Sequence, residues 1–84
     1  MSFANSYVDE GSLSGVFTKT ITFPWKPKEL QITNDSSTKT LKYRFGESET
    51  YRTLKPYETS TLTGISIRYL HLSGSDDYRV WGLG

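Results

Sequence analysis

In Thr40-Leu41-Lys42-Tyr43-Arg44-Phe45, apolar and polar side chains alternate at every position. Leu41, Tyr43 and Phe45 fall on one face and Lys42 and Arg44 on the other, the period-two signature of a half-buried strand. The same period runs through Val16–Phe23, with Phe17, Ile21 and Phe23 inward, and through Lys28–Thr33, with Leu30 and Ile32 inward. Pro24-Trp25-Lys26-Pro27 separates these two, because prolines cannot continue a ladder. Asn34-Asp35-Ser36-Ser37 reads as a turn, and the spacing from Ile32 to Leu41 predicts a hairpin. Glu49–Leu54 and Thr59–Thr63 are weaker strands around Lys55-Pro56-Tyr57-Glu58, a tight turn with Pro56 at its first central position.

Ile65–Leu72 changes phase. Ile65, Ile67 and Tyr69 share one face, and Leu70 and Leu72 share the other. A β-bulge near Arg68–Leu70 or burial on both faces would reconcile them. Ser73–Asp77 forms a turn, and Tyr78–Trp81 is the last strand. About six or seven short strands with turns every 8–12 residues or so predict an all-β antiparallel sandwich, with an OB-like or SH3-like barrel as the alternative. No stretch has helical periodicity with start and stop signals. Residues 1–15 are small and polar and read as a flexible N-terminal arm or a short edge segment, with the domain proper over 16–84.

Composition supports this picture. Tyrosine occurs six times, threonine and serine abound, and Ala4 is the only alanine; such side chains suit pleated sheets better than helices. A domain of 84 residues buries only about 60–65% of its unfolded surface, so it is marginal without help. There is no cysteine, which removes disulfides and thiolate metal sites. Association with copies of itself or with a larger assembly is the remaining aid.

Ten basic and nine acidic residues are spread along the chain, a balance that argues against a dedicated nucleic-acid surface. An oligonucleotide-binding reading would need Lys42, Arg44, Arg52 and Arg68 to form one stripe with aromatics. No apolar run is long enough for a membrane helix, and the first residues lack the pattern of a secretory leader.

Catalytic chemistry finds little to work with. The single histidine, His71, lies in a strand, and the carboxylate pairs Asp9-Glu10, Glu47/Glu49 and Asp76-Asp77 fall in the arm or in turns. No phosphate loop, dinucleotide fingerprint or calcium loop occurs. The expectation is a non-enzyme with no catalytic residues, no cofactor and no metal. The candidates for an interface or ligand surface are Trp25, Tyr57 and Trp81, since Trp and Tyr are enriched at contacts. They could also plug the ends of the core or form a platform for a sugar ring.

Several segments together resemble small β-sandwich modules of tailed-phage virions. They are Thr20–Phe23, Leu30-Gln31-Ile32-Thr33-Asn34-Asp35, Leu41–Phe45, Leu54-Lys55-Pro56-Tyr57-Glu58, Gly64–Ile67 and Tyr78-Arg79-Val80-Trp81-Gly82. Tyr57 departs from the pattern, where glycine is common after the turn proline; a type I turn is then expected. The resemblance implies a non-enzymatic virion structural protein, a capsid decoration or small tail or fibre module. Its partners would be capsid or tail proteins and further copies of itself, with a glycan as the alternative ligand and no nucleic acid or membrane. Its place would be the virion, assembled in the host cytoplasm.

Overall fold

The computed structural model describes residues 6–13, 18–45, 50–63, 67–74 and 77–84. Among them are eight strands and no helix. They are β1 (Ser6–Ser12), β2 (Lys19–Thr22), β3 (Glu29–Asn34), β4 (Leu41–Phe45), β5 (Arg52–Leu54), β6 (Thr59–Thr63), β7 (Tyr69–Gly74) and β8 (Asp77–Leu83). Two four-stranded sheets result: a front sheet ordered β1-β8-β3-β6 and a back sheet ordered β2-β7-β4-β5. Every pairing is antiparallel. The expected sandwich is the fold.

The period-two pattern decides which side chains enter the core. Along β3 and β8 every second residue is buried, with Leu30 and Ile32 on one and Tyr78 and Val80 on the other. Ile21, Phe23, Leu41, Tyr43, Leu70 and Leu72 meet them from the back sheet side. Tyr7 packs edge-to-face on Phe23 with ring centroids 5.1 Å apart, a geometry that sets a ring's positive edge against its neighbour's negative face.

Four expectations change. First, of the two readings of the N-terminal residues, Ser6–Ser12 is the edge segment and not the flexible arm: it pairs along its whole length with β8, from Ser6↔Leu83 to Ser12↔Asp77. Leu13 is fully buried behind it. The strand's sequence, Ser6-Tyr7-Val8-Asp9-Glu10-Gly11-Ser12, carries no alternating apolar face, in keeping with its place at a sheet edge, where one face is solvated and one side has no partner. Residues 1–5 and 14–17, including Phe17, lie outside the described residues.

Second, β3 and β4 do not form a hairpin. Strand β3 pairs with β6 on one side and β8 on the other, while β4 lies in the back sheet. The connection between them is an arch over the end of the sandwich, held by Asn34. Its buried amide donates to the carbonyls of Lys39 (2.8 Å) and Leu54 (3.1 Å), and its Oδ1 accepts from Ser36 N at 3.0 Å. The Ser36 hydroxyl accepts from Lys39 N at 2.9 Å. Among the described residues, only β4 and β5 are consecutive strands paired with each other.

Third, the turn after β5 is not type I. Tyr57 has φ +62°, and proline fixes φ near −65° at the position before it. That combination is type II, closed by Glu58 N donating to the Lys55 carbonyl at 3.0 Å. The Glu58 carboxylate also accepts from Lys55 N at 3.1 Å, a second tie that holds Tyr57 in a conformation suited to glycine.

Fourth, the phase change before Leu70 arises because β7 begins only at Tyr69. Ile67 packs on the core from an irregular segment, and Tyr69 faces outward. Arg68 between them is anchored to β2's end: its carbonyl accepts from Phe23 N at 2.8 Å, and its guanidinium donates to the Phe23 and Pro24 carbonyls at 3.3–3.4 Å. At the other end of β7, Gly74 has φ +146°, and a Cβ there would stand 2.9 Å from the Thr40 carbonyl oxygen. Only glycine fits that position.

Candidate binding surfaces

Strand register turns the outer front face into a grid. One row runs Val8, Trp81, Gln31, Thr61, and the next runs Glu10, Arg79, Thr33, Thr59. Trp81 sits on a central strand, 36% exposed, beside Val8 at 62%. Around them Glu10, Gln31, Thr33 and Arg79 line a shallow depression of about 300 Å³. The Arg79 guanidinium is fixed by Asp35 at 2.7 and 3.1 Å, a charge-assisted fork that holds it more firmly protonated than a free arginine. The Thr33 and Thr59 hydroxyls meet at 2.9 Å. The face therefore offers an apolar centre with donors and acceptors at its rim.

Trp81 thus does not plug the core; β8 points Tyr78, Val80 and Gly82 inward and Trp81 outward. Trp25 is half-buried in the β2–β3 connection, two residues before the buried Pro27. Tyr57, 68% exposed, caps the β5–β6 turn. The backbone bonds Lys28 N to Leu83 O and Asn34 N to Glu58 O put those two connections at opposite ends of β3. The three candidates therefore occupy three separate places, and only Trp81 has a neighbouring exposed apolar side chain across a strand pair. Val8 was hidden from sequence reasoning because its segment, read as an arm or a short edge segment, was given no inward and outward face.

The outer back face differs. It presents Thr20, Thr22, Lys42, Arg44, Thr53, Tyr69 and His71. The Arg44 guanidinium lies over the Tyr51 ring at 5.4 Å, which lowers the Tyr51 pKa by hydrogen bonding and charge. His71 Nδ1 is 2.8 Å from the Thr20 hydroxyl. Lys42 and Arg44 share this face, whereas Arg52 stands at the β5 edge over the Phe45 ring and Arg68 is held by backbone carbonyls. The predicted stripe of four cations does not assemble.

Asp9 and Glu10 also part company. Glu10 faces outward, while Asp9 turns inward at the open edge to Lys19 (3.3 Å) and Tyr78 (3.3 Å). Glu47, Glu49 and Asp76 lie outside the described residues. Among the described residues no group of three or more His, Asp or Glu side chains could hold a metal ion, and no helix is long and apolar enough to cross a membrane. No family model matches the chain, and no curated protein matches its sequence.

Proposed function

We propose that the chain is a non-enzymatic structural module of a tailed-phage particle, a decoration protein or a small tail or fibre unit. The outer front face is its working surface. The observation that carries this reading is the Val8–Trp81 pair, two exposed apolar side chains side by side on an otherwise polar sheet. Exposed apolar patches rimmed by polar groups mark contact sites, and a well-placed tryptophan is a common anchor. The order of strand and turn segments set out above is the support for a virion setting. The test is co-sedimentation of tagged chain with particles of a phage that encodes it. Wild type is expected on the particle and Trp81→Glu in the supernatant; a wild-type chain absent from particles overturns the reading.

A second reading has its own observation. Glu10, Gln31, Thr33 and Arg79 ring Trp81 with hydrogen-bonding groups, the surroundings a sugar ring stacked on an indole would use. Glycan-array binding by wild type that Trp81→Ala abolishes supports it, and a flat array rejects it.

A further inference from the structure

Among the described residues four strands end a sheet: β1 and β6 in front, β2 and β5 behind. An end strand offers a row of backbone N–H and C=O groups to any further strand, and proteins guard such rows with charge, proline or shortness. Three of the four are guarded. Strand β1 carries Asp9 and Glu10, β2 has four residues and begins on Lys19, and β5 has three and begins on Arg52. Strand β6, Thr59-Ser60-Thr61-Leu62-Thr63, has five residues with neither charge nor proline, and its three threonines are exposed. We infer that β6 is a self-pairing edge: two copies of this chain join β6 to β6 in antiparallel order, about a two-fold axis at Thr61, and their four-stranded front sheets become one. The inference concerns a different surface from the Val8–Trp81 pair and does not depend on a virion setting.

The backbone decides this geometry. In an antiparallel pair, residues whose N–H and C=O face the partner alternate with residues whose groups face away. Asn34 N donates to the Glu58 carbonyl at 3.0 Å, in step with the pairing of Ile32 to Ser60 and of Leu30 to Leu62. Ser60 and Leu62 therefore bond to β3, and the backbone groups of Thr59, Thr61 and Thr63 face the open side. The Thr33 and Thr59 hydroxyls, 2.9 Å apart, fit this parity, because side chains stand closer in the pairs without backbone bonds. An axis at Thr61 sets Thr61 against Thr61, and Thr59 against Thr63 of the second copy, so every outward N–H and C=O of the strand finds a partner. Threonine opposite threonine is a favourable cross-strand pair, whereas β1 joined to itself about its midpoint would set Asp9 against Asp9.

The axis stands perpendicular to the sheet, so both outer front faces stay on one side. Register places Val8, Trp81, Gln31 and Thr61 in one row, and the two-fold continues that row through the second copy. The two Trp81 side chains then lie five strand spacings apart, roughly 24 Å at about 4.8 Å each. A two-fold contact closes, so the product is a dimer and not a filament. The five-residue strand is about 17 Å long, and a strip of that length falls short of the roughly 800 Å² per partner of a standard interface. The dimer is therefore weak in free solution, and a repetitive target that engages both front faces strengthens it.

Substitutions at Thr61 test this. Thr61→Pro deletes an N–H that faces the open side and leaves the bonds to β3 intact, as proline on an edge strand does. Thr61→Lys and Thr61→Glu each set a charge against its own copy, and mixing the two sets opposite charges there instead. Circular dichroism verifies folding; should Thr61→Pro lose its folded spectrum, the two charge variants decide alone. In sedimentation velocity from about 10 μM to about 1 mM, a span that covers weak affinities, wild type is expected to pass from monomer to dimer and no further. Each substitution alone is expected to raise the dimer Kd about tenfold or more, and an equimolar mixture of the two charge variants to dimerise again. A wild type that stays monomeric or grows beyond a dimer, dimerisation that survives in the charge variants alone, or a mixture that stays monomeric overturns the inference. A monomeric wild type that still rides on particles rejects self-pairing and leaves the structural-module reading standing. A dimer that is absent from particles does the reverse.

Discussion

The Lys19 ammonium, on an edge strand of the back sheet, donates a 2.5 Å hydrogen bond to the hydroxyl of Tyr78, on a central strand of the front sheet. The hydroxyl in turn donates to Asp9 on β1 at 3.3 Å, and Lys19 completes the circuit to Asp9 at 3.3 Å. Three strands are tied across the open edge of the sandwich, where a core of this size has least apolar cover.

A pH dependence follows. The bond to Tyr78, then the nearby Asp9 charge, raises the Lys19 pKa above 10.5 against the opposing effect of burial. Burial first, then Asp9, raises that of Tyr7 above 10.0. Both groups hold their protons longer folded than unfolded, so the folded chain binds more protons above about pH 10. Their stabilising contribution is full below the unfolded values and is lost as pH rises through the folded ones. Tyr51, lowered by Arg44, opposes this but is more exposed than Tyr7. Urea midpoints are expected to fall above about pH 10 and to fall less steeply in Lys19→Met. Because Lys19 is partly exposed, its removal at neutral pH costs only about 0.5–1 kcal/mol.

Asn34→Ala is expected to cost about 3 kcal/mol, because it leaves two carbonyls and the Ser36 amide short of their partners inside the arch. At roughly 4–8 °C per kcal/mol for a domain this small, the melting temperature drops by more than 10 °C or so. Asn34→Asp should be no better, since a carboxylate would face the carbonyl oxygens of Lys39 and Leu54. A melting curve for Asn34→Asp close to wild type would show that the donor pair matters little.

Tyr57→Gly is expected to stabilise the fold by up to about 1 kcal/mol. Its φ of +62° is strained for a side chain bearing a Cβ and free for glycine, and an exposed ring loses little packing. The greater freedom of glycine in the unfolded chain offsets part of this. Chemical denaturation of the two proteins side by side reads the difference, and a lower midpoint for the variant would assign Tyr57 a packing role instead.

Trp81→Ala should leave stability within about 1 kcal/mol of wild type, because the indole lies outside the core on the solvent side of β8. The same substitution should abolish contacts made through the front face. Thermal unfolding together with particle binding separates the two effects; a variant that melts far below wild type would move Trp81 from the contact surface into the structural scaffold.

The chain's own pattern determined which residues form β3, β4, β6 and the heart of β8 and, in β3 and β4, which side chains turn inward, because a period of two is a local property of the backbone. It also identified Trp81 as a contact candidate. It left Ser6–Ser12 open between an arm and a short edge segment, a choice that only the pairing with β8 makes. Nor did it reveal that β3 leads into an arch: two strands either side of a turn read alike whether they pair or part. That choice belongs to the buried Asn34 and to the strands β6 and β8 already flanking β3. Sequence fixes the face of a strand; long-range pairing alone decides which sheet that face belongs to.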